Sequence, residues 1–168
     1  MVILIASCGK KESPDDQDAN GVNFTSIKSY DVDANYLGNI GSATDDYKNE
    51  EWPQWVMDFF QPLDTVNVTG YVKSECSIDA LYPNSCGNLQ HLRYFATQPA
   101  NLKIVIIDGQ KHVYMQKSYH LYQGIHIVDF DYTLLNMAAG AYFRMFYTFS
   151  AEGDYNFKKG HIDIYKEN

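Results

Sequence analysis

From residue 77 onward, apolar and polar residues alternate in short runs separated by turn-forming clusters, the two-residue period of half-buried β-strands. The runs 77–82, 89–96, 102–108, 112–119, 125–131, 142–149 and 156–165 predict seven strands. Between them stand Pro83-Asn84, Gln98-Pro99-Ala100-Asn101, Asp108-Gly109, Gln123-Gly124, Ala139-Gly140 and Glu152-Gly153-Asp154. Asp108-Gly109 is the sharpest hairpin signal, because Asp and Gly tolerate the positive φ values that tight turns demand. Seven strands at this spacing predict an all-β fold, a two-sheet sandwich spanning 77–168. Alternation also assigns faces. Leu102, Ile104 and Ile106 share one side, as do Ile125 with Ile127 and Ile162 with Ile164. In 142–149 the side made by Phe143, Met145, Tyr147 and Phe149 is wholly apolar, whereas the other carries Arg144 and Thr148, so the first belongs in the core.

Upstream the period changes. Trp52, Trp55, Val56, Phe59 and Phe60 draw one helical stripe, with acids and Pro53 at its start and Pro62 at its end. They predict a short helix over 52–60 that lies on the core and plugs an end or edge of the sheet. Val66, Val68 and Val72 alternate with polar residues and predict a strand over 65–72. Shorter strand signals fall at 24–30 and near Tyr36. Residues 22–76 are thus an N-terminal extension of the sandwich, preceded by a polar tether over 9–21.

Composition narrows the class. With 168 residues and 45% apolar content, the chain builds a core of ordinary domain size. Its formal charge of −8 offers no basic footprint for phosphates, so nucleic acid is not an expected partner. The acidity gathers at the front, where residues 10–51 hold ten Asp or Glu against four Lys. Fourteen of the twenty-five aromatic residues are Tyr, a side chain that suits strands and keeps a polar tip in water.

The first eight residues, Met1-Val-Ile-Leu-Ile-Ala-Ser-Cys8, form a short apolar run ending in small residues and a cysteine. Ile5-Ala6-Ser7-Cys8 resembles the lipobox of bacterial lipoproteins. The resemblance implies cleavage before Cys8, a lipid on its thiol, and a place in the cell envelope as an outer-membrane lipoprotein. A working signal needs a basic leader and roughly 7–15 apolar residues, so the expected true start lies upstream of Met1. No other run approaches the ~18 apolar residues of a spanning helix, and the expected membrane contact is therefore an anchor. Removing Cys8 from the count leaves Cys76 and Cys86. Their parity in an exported chain predicts a disulfide, with two unlinked thiols as the alternative.

The second half also resembles a known family. Leu81-Tyr82-Pro83-Asn84, Leu102-Lys-Ile-Val-Ile-Ile-Asp-Gly109, Asn136-Met-Ala-Ala-Gly140-Ala-Tyr142-Phe143 and Lys158-Lys159-Gly-His-Ile-Asp-Ile-Tyr165 are similar to the immunoglobulin-like C-terminal sorting domains of the type IX secretion system in Bacteroidota. The resemblance implies a seven-strand sandwich in which Gly140 allows a tight turn and Tyr142 packs under the corner. The chain departs from the family at Ser85, where a proline usually stands.

Candidate chemistry is sparse. Asp16, Asp18 and Asn20, followed by Gly21, mimic the opening of a calcium loop, but the twelfth position is Ile27. Asp31-Val-Asp33-Ala-Asn35 repeats the spacing without the glycine. His91, His112, His120, His126 and His161 show no zinc-like spacing, and no nucleophile elbow or phosphate loop occurs. No cofactor is expected and catalysis is not. Trp52 and Trp55, or Tyr114, Tyr119 and Tyr122, are candidates for an exposed aromatic recognition surface, with core packing as the alternative. The expected role is a non-enzymatic binding, adhesion or envelope-assembly module, and the alternatives are carbohydrate binding in a glycan-uptake system or type IX sorting.

Overall fold

A computed structural model describes residues 22, 24, 26–41, 51–61, 76–151 and 158–167. The expected signal and tether, Cys8, the loop Asp16–Asp18–Asn20 and the strand over 65–72 lie outside the described residues. Seven strands form two antiparallel sheets. One is three-stranded, ordered β3 (Cys76–Tyr82), β4 (Leu89–Ala96) and β7 (Gly124–Asp131). The other is four-stranded, ordered β6 (Val113–Leu121), β5 (Ala100–Ile107), β8 (Ala141–Ala151) and β9 (Lys158–Lys166). The chain changes sheet between β4 and β5, between β6 and β7, and again between β7 and β8. That crossing pattern makes an immunoglobulin-like sandwich from sequential strands.

The predicted strands match these elements to within a few residues, and alternation explains why. Leu102, Ile104 and Ile106 on β5 face Phe149, Tyr147 and Met145 on β8, and Ile162 and Ile164 on β9 continue the same inner row. Leu92, Tyr94 and Phe130 oppose them from the other sheet. Each fully buried side chain of this size stabilises by about 1.5–3 kcal/mol relative to exposure, so this interior is the main source of fold stability.

The four-stranded sheet is covered on its outer side as well. Val105, Ile107 and Phe146 point away from the inner core and pack against Trp52, Val56 and Phe60. These last residues frame helix α1 (Gln54–Asp58), shorter than the stripe predicted because Pro53 is its N-cap and the chain leaves helical geometry after Phe59. No acid lies in its first turn, contrary to expectation. The stripe itself is right: Trp52, Val56 and Phe60 are buried, while Trp55 and Phe59 are half-buried.

A hairpin of β1 (Ser26–Tyr30) and β2 (Tyr36–Gly41) closes the side of the sandwich next to β3 and β9. Tyr30 and Asn84 exchange backbone hydrogen bonds at 2.9 and 3.1 Å. The Asn84 side-chain amide donates to the Asp163 carbonyl at 2.8 Å, tying β3, β9 and the hairpin together.

Candidate functional site

The two cysteines are both buried and are not joined to each other, which corrects the expected disulfide. They stand at opposite ends of the β3 and β9 strands. The Lys158 ammonium donates to the Cys76 carbonyl, whereas Cys86 bridges to Lys166. A strand of this length spans about 20 Å, far beyond the roughly 7 Å Cα limit for a disulfide. Burial pushes the Cys86 thiol up to about 12, against the opposing pull of Lys166, so it stays protonated and is a poor nucleophile.

The aromatic candidates divide. Trp52 is only 8% exposed, tilted against Phe60 at 4.9 Å and edge-on to Phe146, so no platform is built on it. Trp55 is half-buried, edge-on to Phe59 and Phe146, with the Lys111 ammonium 4.4 Å above its ring. Tyr114 and Tyr119 turn inward and meet Phe143 and Phe130 edge-on. Both phenols are raised, foremost by burial. They belong to the core margin and not to a recognition surface. Tyr122 alone of the three is exposed, at 70%, and its ring lies between those of His120 and His126 at 6.3 and 6.4 Å. Tyr142, expected beneath the corner, lies on the outer face against Tyr165 and Phe24. The buried tyrosine between β7 and β8 is Tyr132, whose hydroxyl donates to Gln90 at 2.7 Å.

The acidic spacing at Asp31 builds a turn. One carboxylate oxygen accepts from the Asp33 and Asn35 amides and the other from the Asn35 side chain, at 2.8–3.0 Å. Hydrogen bonds, first that of the Asn35 side chain, lower the Asp31 pKa. Among the described residues, no three His, Cys, Asp or Glu side chains gather to hold a metal. Nor is any described helix long and apolar enough to cross a membrane. His91 and His112 each meet a carboxylate, Asp129 at 2.6 Å and Asp108 at 3.2 Å. Both pairs lie at the surface. A cleft of about 240 Å³ opens between Phe59, Phe60, Gln61 and the β5–β6 strands, below the usual size of a small-molecule site.

The feature missed from the sequence is the outer face of the three-stranded sheet. Phe95 on β4 stands opposite Ile125 on β7, and Arg93 opposite Ile127. Phe95, Ile125 and Ile127 are 36%, 70% and 52% exposed, and Leu89 further along β4 is 57% exposed. The face becomes polar toward the other end, where His91 opposes Asp129 and Arg93 donates to Asp79 at 2.6 Å. Asp131 ends the row, its pKa lowered by hydrogen bonds from the Thr133 hydroxyl and then its amide. The result is an apolar patch with an acidic end, where Asp129 is paired with His91 and Asp131 with Thr133. The β7 sequence, Gly-Ile-His-Ile-Val-Asp-Phe-Asp, has apolar residues in both phases. Alternation alone therefore leaves its buried side open, and tertiary packing selects Val128 and Phe130.

Comparisons with protein families, with curated proteins and with solved structures find no match to this chain.

Proposed function

We propose that the protein is an exported bacterial lipoprotein, held to the cell envelope through Cys8, whose sandwich is a non-enzymatic binding, adhesion or envelope-assembly module. The observation that carries the binding role is the exposed row Phe95, Ile125 and Ile127 on the outer face of the three-stranded sheet. Its side chains do not contribute to the inner core, and a contiguous apolar patch on a sheet face is a common mark of a contact surface. The lipobox-like Ile5-Ala6-Ser7-Cys8 and the polar stretch after it support envelope anchoring. A photo-crosslinking residue at position 127, in protein expressed in an envelope-bearing bacterial host, tests the face. Crosslinks to an envelope component from position 127, and not from Lys117 on β6, are expected; equal yields from both positions contradict the assignment.

A second reading has its own observation. Tyr122 presents an exposed ring flanked by two imidazoles, an arrangement able to stack on a sugar and donate hydrogen bonds to it. Glycan-array binding lost in Tyr122→Ala and kept in Ile127→Lys favours carbohydrate recognition over the apolar face.

A further inference from the structure

The four strands at the margins of the two sheets differ in how they guard their outward backbone groups. On β3 the ladder to β4 breaks between Ile78 and Ala80, and Tyr30 bridges to Asn84 just beyond the strand. On β9 three lysines, Lys158, Lys159 and Lys166, punctuate the strand, and Cys86 bridges to the last of them. On β6 the register shifts against β5 between Ile106 and Ile107, Lys117 is exposed, and Gln116 donates to the Phe59 carbonyl at 2.6 Å. Bulges, lysines and covering segments are the usual protections of an edge against added strands.

Among the described residues, the β7 edge carries none of them. Its eight residues pair with β4 in one unbroken register from Gly124 to Asp131, and among the described residues β4 is its only strand neighbour. It contains no proline, lysine or arginine. The outer side chains of the strand run Ile125, Ile127, Asp129, Asp131, apolar and then acidic, and Phe95 extends the apolar end.

We propose that the outward edge of β7 is a strand-addition site for an extended partner segment whose outer side chains are basic and then apolar. This rests on the binding-module reading above and names the surface and the chemistry of its occupant. Backbone hydrogen bonds to an added strand supply affinity, and alternate side chains supply selectivity. An antiparallel strand sets its first two outer residues against Asp131 and Asp129, and its next two against Ile127 and Ile125. Opposite charges and apolar pairs across a ladder each stabilise, and like charges destabilise.

A second copy of the chain is the poorer fit. Two antiparallel β7 edges that keep their outer faces together must pair residues of equal parity. The register placing Ile127 on its own counterpart sets Ile125 against Asp129. The next sets both isoleucines against aspartates. Matching Ile125 with Ile127 leaves only Gly124–Val128 paired, and the chain charge of −8 opposes self-association further.

The test uses the full chain and a fluorescent synthetic peptide, Lys-Thr-Lys-Thr-Val-Thr-Val-Thr, with Glu replacing both Lys in a comparison peptide, read by anisotropy. Saturable binding of the basic peptide is expected, weakened by about tenfold or more in the acidic peptide and in Ile127→Lys. Ile125→Lys is a second variant, since both side chains stand largely outside the core; circular dichroism checks that each retains its fold. Val113→Lys on β6 is expected to bind within about twofold of the parent. No binding of the basic peptide, or equal binding of both peptides, overturns the proposal. A concentration-dependent dimer lost in Ile127→Lys also overturns it, assigning the edge to a second copy. Failure here with a lipid found on Cys8 leaves envelope anchoring standing, and peptide binding without that lipid does the reverse.

Discussion

Arg144 and Asp163 meet as a two-pronged ion pair, Nε to Oδ1 at 2.6 Å and Nη2 to Oδ2 at 2.8 Å, across the outer face of β8 and β9. Asp163 is almost wholly buried, and Arg144 lies between the Phe24 and Phe146 rings. Removing one partner strands the other charge away from water, which typically costs about 3–5 kcal/mol. Asp163→Asn is expected to lower the free energy of urea unfolding by about 3 kcal/mol, and the double change Arg144→Met with Asp163→Leu to recover much of it. Asp108 governs the β5–β6 turn differently. Burial raises its pKa, but the His112 and Gln110 amides and the His112 ring together outweigh burial and hold it low. A carboxylate lowered by folding stabilises fully above its unfolded value near about 3.9 and loses that contribution as pH falls through the folded value. Asp108→Asn is therefore expected to cost about 1 kcal/mol at neutral pH, and to flatten the acid limb of a stability–pH profile measured by denaturant titration. The hairpin at Asp108-Gly109 was readable. Its five-residue span was not, because it depends on Lys111 taking a φ of 66° and on carboxylate hydrogen bonds that no local pattern encodes.

At the scale of elements, β5 shows what periodicity conveys and where it stops. Ile104-Val105-Ile106-Ile107 departs from strict alternation, and a continuous apolar run marks a strand covered on both faces. Helix α1 supplies the second cover. Val56→Ala is expected to destabilise by about 2 kcal/mol, with accelerated amide exchange in 51–61 and little change in β4. The sandwich strands were legible because each is a short apolar run bounded by turn-forming residues, and in β8 and β9 the apolar row is one-sided. The candidate face was not, for the same reason inverted: β7 is apolar in both phases, and only the positions of Val128 and Phe130 against the core leave Ile125 and Ile127 outside. Parity misled for the cysteines, since it counts thiols without knowing that the length of β3 lies between them.

For the whole molecule, the described residues form two sandwich sheets, a covering helix and a closing hairpin, and among them the outer face of the three-stranded sheet and the β7 edge stand open to a partner. A rigid sandwich is a suitable carrier for such a surface, because its strands are positioned by the core and need not rearrange on binding. Anchoring by a lipid at the end of a polar tether would confine that face to a thin layer beside the membrane and raise its effective concentration toward other envelope components. The proposed location in the cell envelope rests on Cys8. The most direct measurement is the intact mass of the mature protein, extracted with detergent from the envelope of a bacterium expressing the complete reading frame. An amino terminus at Cys8 carrying a diacylglyceryl group, absent in Cys8→Ala, is the expected result; an unlipidated chain that retains residues before Cys8 contradicts it.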